Sequence, residues 1–313
     1  MIALTIALFG AMSMGQQGPT SLYAPAKTVK DQKIELRGWG SGTIAESQQA
    51  PFLGENSLRV SSRNFFQGGT LAYEEPKDLH ADFEDKSKLL RVTFFLEDAG
   101  VVYGVNGKGS VKGTGVGDRV NQHAVVPSRS GVKVNSADLA VPFKPKIKTI
   151  RLVILTTDEK KSEIYVPIMS SQAEGQGWRS ISVPIQAISG FDRTNKVVKQ
   201  ISLSTDTIGT FYVGEMKVAQ DEAPISAKIL NESNLSLALG DKATFNGYGE
   251  GGSSVLVYRW DFDDRDGIQV DAEGQTVIRK FRKAGTFNVT LTVSDKYELK
   301  KPAIKTLIVT VNP

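Results

Sequence analysis

Gly285-Thr286-Phe287-Asn288-Val289-Thr290-Leu291-Thr292-Val293-Ser294-Asp295 sets Phe287, Val289, Leu291 and Val293 on one parity and Asn288, Thr290, Thr292 and Ser294 on the other. A period of two with one apolar face is what a half-buried antiparallel strand requires. The same alternation runs outward in both directions. Upstream, Leu256, Tyr258, Trp260 and Phe262 alternate into an acidic turn, and Leu235, Leu237 and Leu239 alternate into Gly240-Asp241. Thr244-Phe245 precedes a glycine-rich stretch, 246–252, that reads as a loop, and Thr276-Val277 and Phe281 lead to the quoted strand. Downstream, Leu307, Val309 and Val311 complete a last strand. Residues 225–313 therefore read as an antiparallel sandwich.

Trp260-Asp261-Phe262-Asp263-Asp264, taken with Ala284-Gly285-Thr286-Phe287 and the strand that follows, resembles the polycystic kidney disease (PKD) domain. The resemblance implies an immunoglobulin-like β-sandwich of the kind found in extracellular and surface proteins, where it acts as a spacer or binding module. The family often has Gly-Asp-Gly after Trp-Asp-Phe. Here the run Asp263-Asp264-Arg265-Asp266-Gly267 makes the turn longer and more acidic.

Residues 27–220 carry further strands: 57–61, 69–73, 88–96, 147–155, 179–185, 198–204 and 210–218. Leu90, Val92, Phe94 and Leu96 share one face of the third, and Ile150, Leu152 and Ile154 share one face of the fourth. Many strands with no helical pattern between them predict a second antiparallel sandwich rather than a parallel α/β sheet. Gly54 to Val60, Gly177 to Ile185 and Gly209 to Val218 resemble the early, tryptophan and closing strands of jelly-roll, galactose-binding-like carbohydrate-binding modules. That family often has paired acidic residues in its closing strand where this chain has Gly214-Glu215, which puts a structural calcium ion in doubt. The expected organisation is all-β: residues 1–15 a signal peptide, 16–26 a flexible lead-in, 27–220 a jelly roll, 221–224 a linker and 225–313 a PKD sandwich. Asp221-Glu222-Ala223-Pro224 is polar and ends in proline, as a linker would.

The chain has 313 residues, 30 glycines and no cysteine. Two domains of ordinary size can each bury a core at this length. The missing cysteines exclude disulfides, thiolate-ligated zinc and a thiol nucleophile. A net charge of +4 reads as a mild excess spread along the chain. No stripe of basic residues interleaved with aromatics was evident, so nucleic acid is not the expected partner. An acidic polysaccharide or anionic cell surface suits the charge as well. Residues 2–9 are apolar but too few to cross a bilayer, and small residues follow at Ser13 and Gly15. This fits a secretory signal, although no Lys or Arg precedes it, and a buried strand is the other reading. The expected location is secreted or cell-surface, with the periplasm a further option, and no transmembrane segment is expected in the mature chain.

Sugar-binding surfaces stack a ring on a pyranose and surround it with hydrogen-bonding groups. Trp39, in Arg37-Gly38-Trp39-Gly40-Ser41-Gly42, is the first candidate ring, weighed against simple turn packing, and Tyr103 is the second. Arg119 and His123 are the polar candidates beyond the glycine-rich run 104–117. Trp178 opens a strand and is assigned to the core. Asn121-Gln122-His123 resembles a motif of jelly-roll polysaccharide lyases, but the partner strands of those enzymes are not recognisable. Asp263, Asp264 and Asp266 offer oxygen ligands to calcium, against the plainer reading of a hydrogen-bonded acidic turn. No cofactor is otherwise required. The adjacent carboxylates Glu74-Glu75 and Glu97-Asp98 point to opposite faces when extended, so neither pair flanks one glycosidic bond. The reading is a non-catalytic glycan-binding or surface-interaction protein with the second sandwich as spacer. The alternatives are a structural or adhesive protein that binds other proteins, and a polysaccharide-degrading enzyme with an unrecognised site.

Overall fold

The computed structural model describes residues 18–97, 145–175, 177–267 and 269–313. Among these residues twelve strands belong to the first sandwich: β1 (Thr20–Tyr23), β2 (Ile34–Trp39), β3 (Thr43–Ser47), β4 (Ser57–Ser62), β5 (Gly68–Asp78), β6 (Lys88–Leu96), β7 (Thr149–Thr156), β8 (Lys161–Pro167), β9 (Gln172–Gly175), β10 (Trp178–Pro184), β11 (Val197–Thr205) and β12 (Gly209–Gln220). One sheet has the order β3-β4-β12-β6-β10-β9, with β1 also on β12, and the other the order β2-β5-β11-β7-β8. Every pairing in both is antiparallel. Among the described strands the chain changes sheet at β1→β2, β2→β3, β4→β5, β5→β6, β6→β7, β8→β9, β10→β11 and β11→β12. The strands β4-β12-β6-β10 thus face β5-β11-β7-β8 in an antiparallel β-sandwich.

Alternation decides what lies between the sheets. Leu90, Val92, Phe94 and Leu96 of β6 meet Ile150, Leu152 and Ile154 of β7, all buried in one cluster. The segment 16–26, expected to be a flexible lead-in, instead contains β1. Its Leu22 and Tyr23 are buried in that cluster, and β1 is held by antiparallel pairing along β12. Trp178 is buried, as expected of a core residue, though in a cluster of its own. It sits on the outer face of the first sheet with Ala50, Phe52, Phe95 and Tyr212. Gly214 is required there, because a Cβ at that position would lie 2.5 Å from Phe52 Cγ and 2.8 Å from Trp178. This accounts for the glycine at the position where the resembling family carries an acid.

The second sandwich comprises β13 (Ser226–Ile229), β14 (Asn234–Ala238), β15 (Lys242–Glu250), β16 (Leu256–Asp261), β17 (Ala272–Glu273), β18 (Thr276–Lys280), β19 (Gly285–Asp295) and β20 (Ala303–Asn312). Its sheets are β13-β15-β18 and β14-β20-β19-β16-β17. Phe245, Trp260, Phe262, Val289, Leu291, Val293 and Val309 fill the space between them. Two expectations change here. The stretch 246–252 is not a loop over most of its length, since β15 runs to Glu250. Gly247 lies against the core, where a Cβ would come 2.9 Å from Leu291 Cδ2 and 3.2 Å from Trp260. Leu239 does not continue the buried parity of Leu235 and Leu237, because β14 ends at Ala238 and Leu239 faces solvent.

The two sandwiches meet through specific contacts. Asp221 accepts hydrogen bonds from Ser253 N (2.8 Å), Ser253 Oγ (3.0 Å) and Ala223 N (3.1 Å). Lys300 pairs with Asp221 at 3.0 Å, their side chains 10% and 9% exposed, and donates to the Gly251 carbonyl. Ser182 N donates to the Ser253 carbonyl, and Val255 and Tyr297 pack on the first sandwich's core. The connection 221–224 begins with a buried anchor.

Candidate binding site

One end of the second sheet of the first sandwich gathers aromatic rings around a buried arginine paired with a half-exposed glutamate. The turn between β4 and β5, Arg63-Asn64-Phe65-Phe66-Gln67, closes with Arg63 N to the Gln67 carbonyl at 3.0 Å. Asn64 Oδ1 accepts from Phe66 N at 3.0 Å, a side-chain-stabilised turn of the kind Asn favours. This geometry projects Phe66, which is 68% exposed. The neighbouring turn after β2 is tied to it by a hydrogen bond between Ser41 Oγ and Gln67 Oε1.

Cross-strand register aligns Trp39 of β2, Gly68 of β5, Ser204 of β11, Arg151 of β7 and Tyr165 of β8 in one row. All five lie on the parity opposite the core residues Ile150, Leu152, Ile164 and Val166. Arg151 is 6% exposed despite its charge. Its Nη2 and Nε bond Glu163 Oε1 and Oε2 at 2.5 and 3.3 Å, and its Nη1 donates to the Phe65 carbonyl at 2.7 Å. The guanidinium lies 4.9 Å from the Phe66 ring centroid and 5.5 Å from that of Trp39. Such contacts favour a planar, delocalised cation. Tyr165 Oη donates to Glu163 Oε2 at 2.7 Å, and its ring meets Phe65 edge-on at 5.8 Å.

This ring surface is held stiffly from below by Arg151. Phe66 and the 53% exposed Tyr165 face solvent with a phenolic oxygen and a carboxylate beside them. The hydrogen bond from Arg151, joined by that from Tyr165, holds the Glu163 carboxyl below the ordinary carboxylate range. A general acid needs the opposite shift, so Glu163 is poorly placed to protonate a leaving group. An apolar ring face bordered by fixed polar groups suits binding.

Of the residues singled out from the sequence, Trp39 lies in this arrangement, half-buried beside Arg151. Tyr103, Arg119 and His123 lie outside the described residues, as do the run 104–117 and the 1–15 segment. Asp263, Asp264 and Asp266 lie on the second sandwich, and the turn itself occupies the first two. Arg265 grips Asp263 through Nε and Nη2 at 2.6 and 2.7 Å, and Asn288 donates to Asp264 at 3.0 Å. Buried Asp261 accepts from the backbone of Asp263 and Gln269. Among the described residues no group of three or more His, Asp or Glu side chains is arranged to hold a metal ion. Phe65, Phe66, Arg151, Glu163 and Tyr165 were not anticipated. Tyr165 carried a signal, because it shares the polar parity of Lys161 and Glu163 rather than that of Ile164 and Val166.

Residues 229–308 match the family model of the PKD domain. The PKD sandwich is thus the second of the two, and its Trp260-Asp261-Phe262 run closes β16. No curated protein matches the chain. Among solved structures, the fibronectin(III)-like modules of Clostridium thermocellum CbhA align with 8% identity and a TM-score of 0.25, over 55% of this chain and 82% of theirs. The three N-terminal domains of the bacteriophage RB49 outer capsid protein Hoc align with 11% identity and a TM-score of 0.25, over 55% of this chain and 51% of that one. The four N-terminal immunoglobulin domains of Dscam1 give 12% and 0.24, over 52% of this chain and 37% of that one. At these values the architecture rests on strand order. Among the described residues no helix is long and apolar enough to cross a membrane.

Proposed function

We propose that the chain is an exported, non-catalytic binding protein that takes up a glycan on the ring surface of Trp39, Phe66 and Tyr165. The observation that carries this reading is the pairing of exposed Phe66 and Tyr165 with the bridge between buried Arg151 and half-exposed Glu163. A sugar's apolar face stacks on the rings, while the Tyr165 hydroxyl and Glu163 meet its hydroxyls. The PKD sandwich, anchored through Asp221 and Lys300, holds that surface at a set orientation. Affinity per site is modest, and display in copies raises it by avidity.

The test is glycan-array binding of residues 18–313 alongside Trp39→Ala and Phe66→Ala, with EDTA-treated samples for calcium. Binding lost in both variants, with unchanged circular dichroism, supports the reading. Binding to neutral glycans that survives both variants, or silence across neutral and acidic glycans, overturns it.

A second reading, adhesion to proteins, draws on Ile304 and Ile308, which stand 58% and 46% exposed on one face of β20. Concentration-dependent self-association by light scattering, independent of any glycan, would favour it.

A further inference from the structure

The PKD sandwich carries a second surface with different chemistry. Arg279-Lys280-Phe281-Arg282-Lys283 spans the end of β18 and the turn into β19, so here the basic residues are concentrated rather than spread. They line a cleft of about 570 Å³ together with Phe262, Phe287 and one carboxylate, Asp263, which Arg265 already holds through both oxygens. Arg279 sits 5.0 Å from the Phe262 ring and 3.8 Å from Asp271. Lys280, Arg282 and Lys283 are exposed, and none of the ion pairs among the described residues includes them. Lys242 of β15 lies directly opposite Lys280 of β18 in the register. Like charges facing each other across strands repel. Arg282 and Lys283 add two further exposed cations, and Asp263, the nearby carboxylate that Lys283 senses, is already paired with Arg265, so the cleft keeps an excess of positive charge complementary to an anion. The rings of Phe262, Phe281 and Phe287 are buried, so no exposed face is offered for stacking nucleobases.

We propose that this cleft binds a polyanionic glycan, a chain bearing uronate carboxylates or sulfate esters, independently of the ring surface on the first sandwich. The PKD sandwich is then a binding module as well as a support. Contact is by charge with the exposed cations, so it weakens steeply with salt.

The experiment measures binding of the protein (residues 18–313) to immobilised polygalacturonate, heparin, neutral dextran and duplex DNA at about 0.05 and 0.3 M salt. Three variants accompany it: Lys280→Ser/Arg282→Ser/Lys283→Ser; a charge-matched control, Lys27→Ser/Lys30→Ser/Lys86→Ser; and Trp39→Ala. Thermal melts verify that each folds. The expected result is salt-sensitive binding to one or both polyanions and none to dextran. The cleft variant should lose about tenfold or more, as several weak exposed charge contacts together would give. The control and Trp39→Ala should bind as the parent does, and polygalacturonate against heparin tells carboxylate from sulfate. Absence of binding to both polyanions, equal loss in the control, or tighter binding to duplex DNA would overturn the proposal.

Discussion

Phe66 is 68% exposed, with its ring over the Arg151 guanidinium, so its removal separates binding from folding. Phe66→Ala should abolish glycan retention while changing stability by no more than about 0.5 kcal/mol, the range of ordinary surface substitutions. Affinity electrophoresis with a urea melt checks both. Glu163 supplies a pH test. Its carboxyl is held below its unfolded value of about 4.3, so the Arg151 pairing contributes stability above that pH and loses it as pH falls through the folded value. Urea midpoints measured down an acid series should decline there, and Arg151→Gln should flatten the decline. Trp39 was legible as a candidate ring because glycines flank it. Its partner Arg151 lies over a hundred positions away, and only strand register joins them.

At the scale of elements, strands with strict alternation were readable from sequence: β6 and β19 run where their apolar parity places them. Those that failed had a physical reason to be silent. β15 contains Asn246, Gly247 and Gly249, residues of low strand propensity, yet it needs glycine where Leu291 and Trp260 press against it. β1 is four residues long and shows no period before β12 pairs with it. Replacing Gly247 by Ala should therefore destabilise the PKD sandwich by about 1–3 kcal/mol, the cost of overpacking. Trp260 emission during urea unfolding would report it, and an unchanged midpoint would show that the sheets separate more easily than this packing implies. The ring surface was not legible as a surface at all. Phe65-Phe66 reads as a hydrophobic pair, and the turn geometry alone directs Phe66 outward.

For the whole molecule, the junction decides whether two sandwiches behave as one body. Asp221 and Lys300 are buried together, and removal of one partner from such a pair typically costs about 3–5 kcal/mol. Lys300→Met should split a single calorimetric transition into two, whereas Asp221→Asn with Lys300→Met should restore part of the coupling. An unsplit transition in Lys300→Met would place the coupling in Val255 and Tyr297 instead. If the junction holds, the ring surface and the basic cleft keep a constant separation. A polymer carrying both neutral and charged sugars would then be read at two points.

Strand β20 lies between two neighbours of opposite sense: antiparallel β19 and parallel β14, the latter through five consecutive pairs from Asn234↔Ile308 to Ala238↔Asn312. A pull along β20 therefore loads both ladders in shear, with the inter-strand bonds resisting together instead of parting one at a time. Under tension, as when one end is tethered and a bound polymer drags on the other, the PKD sandwich would act as a mechanical clamp whose failure is governed by its unfolding rate.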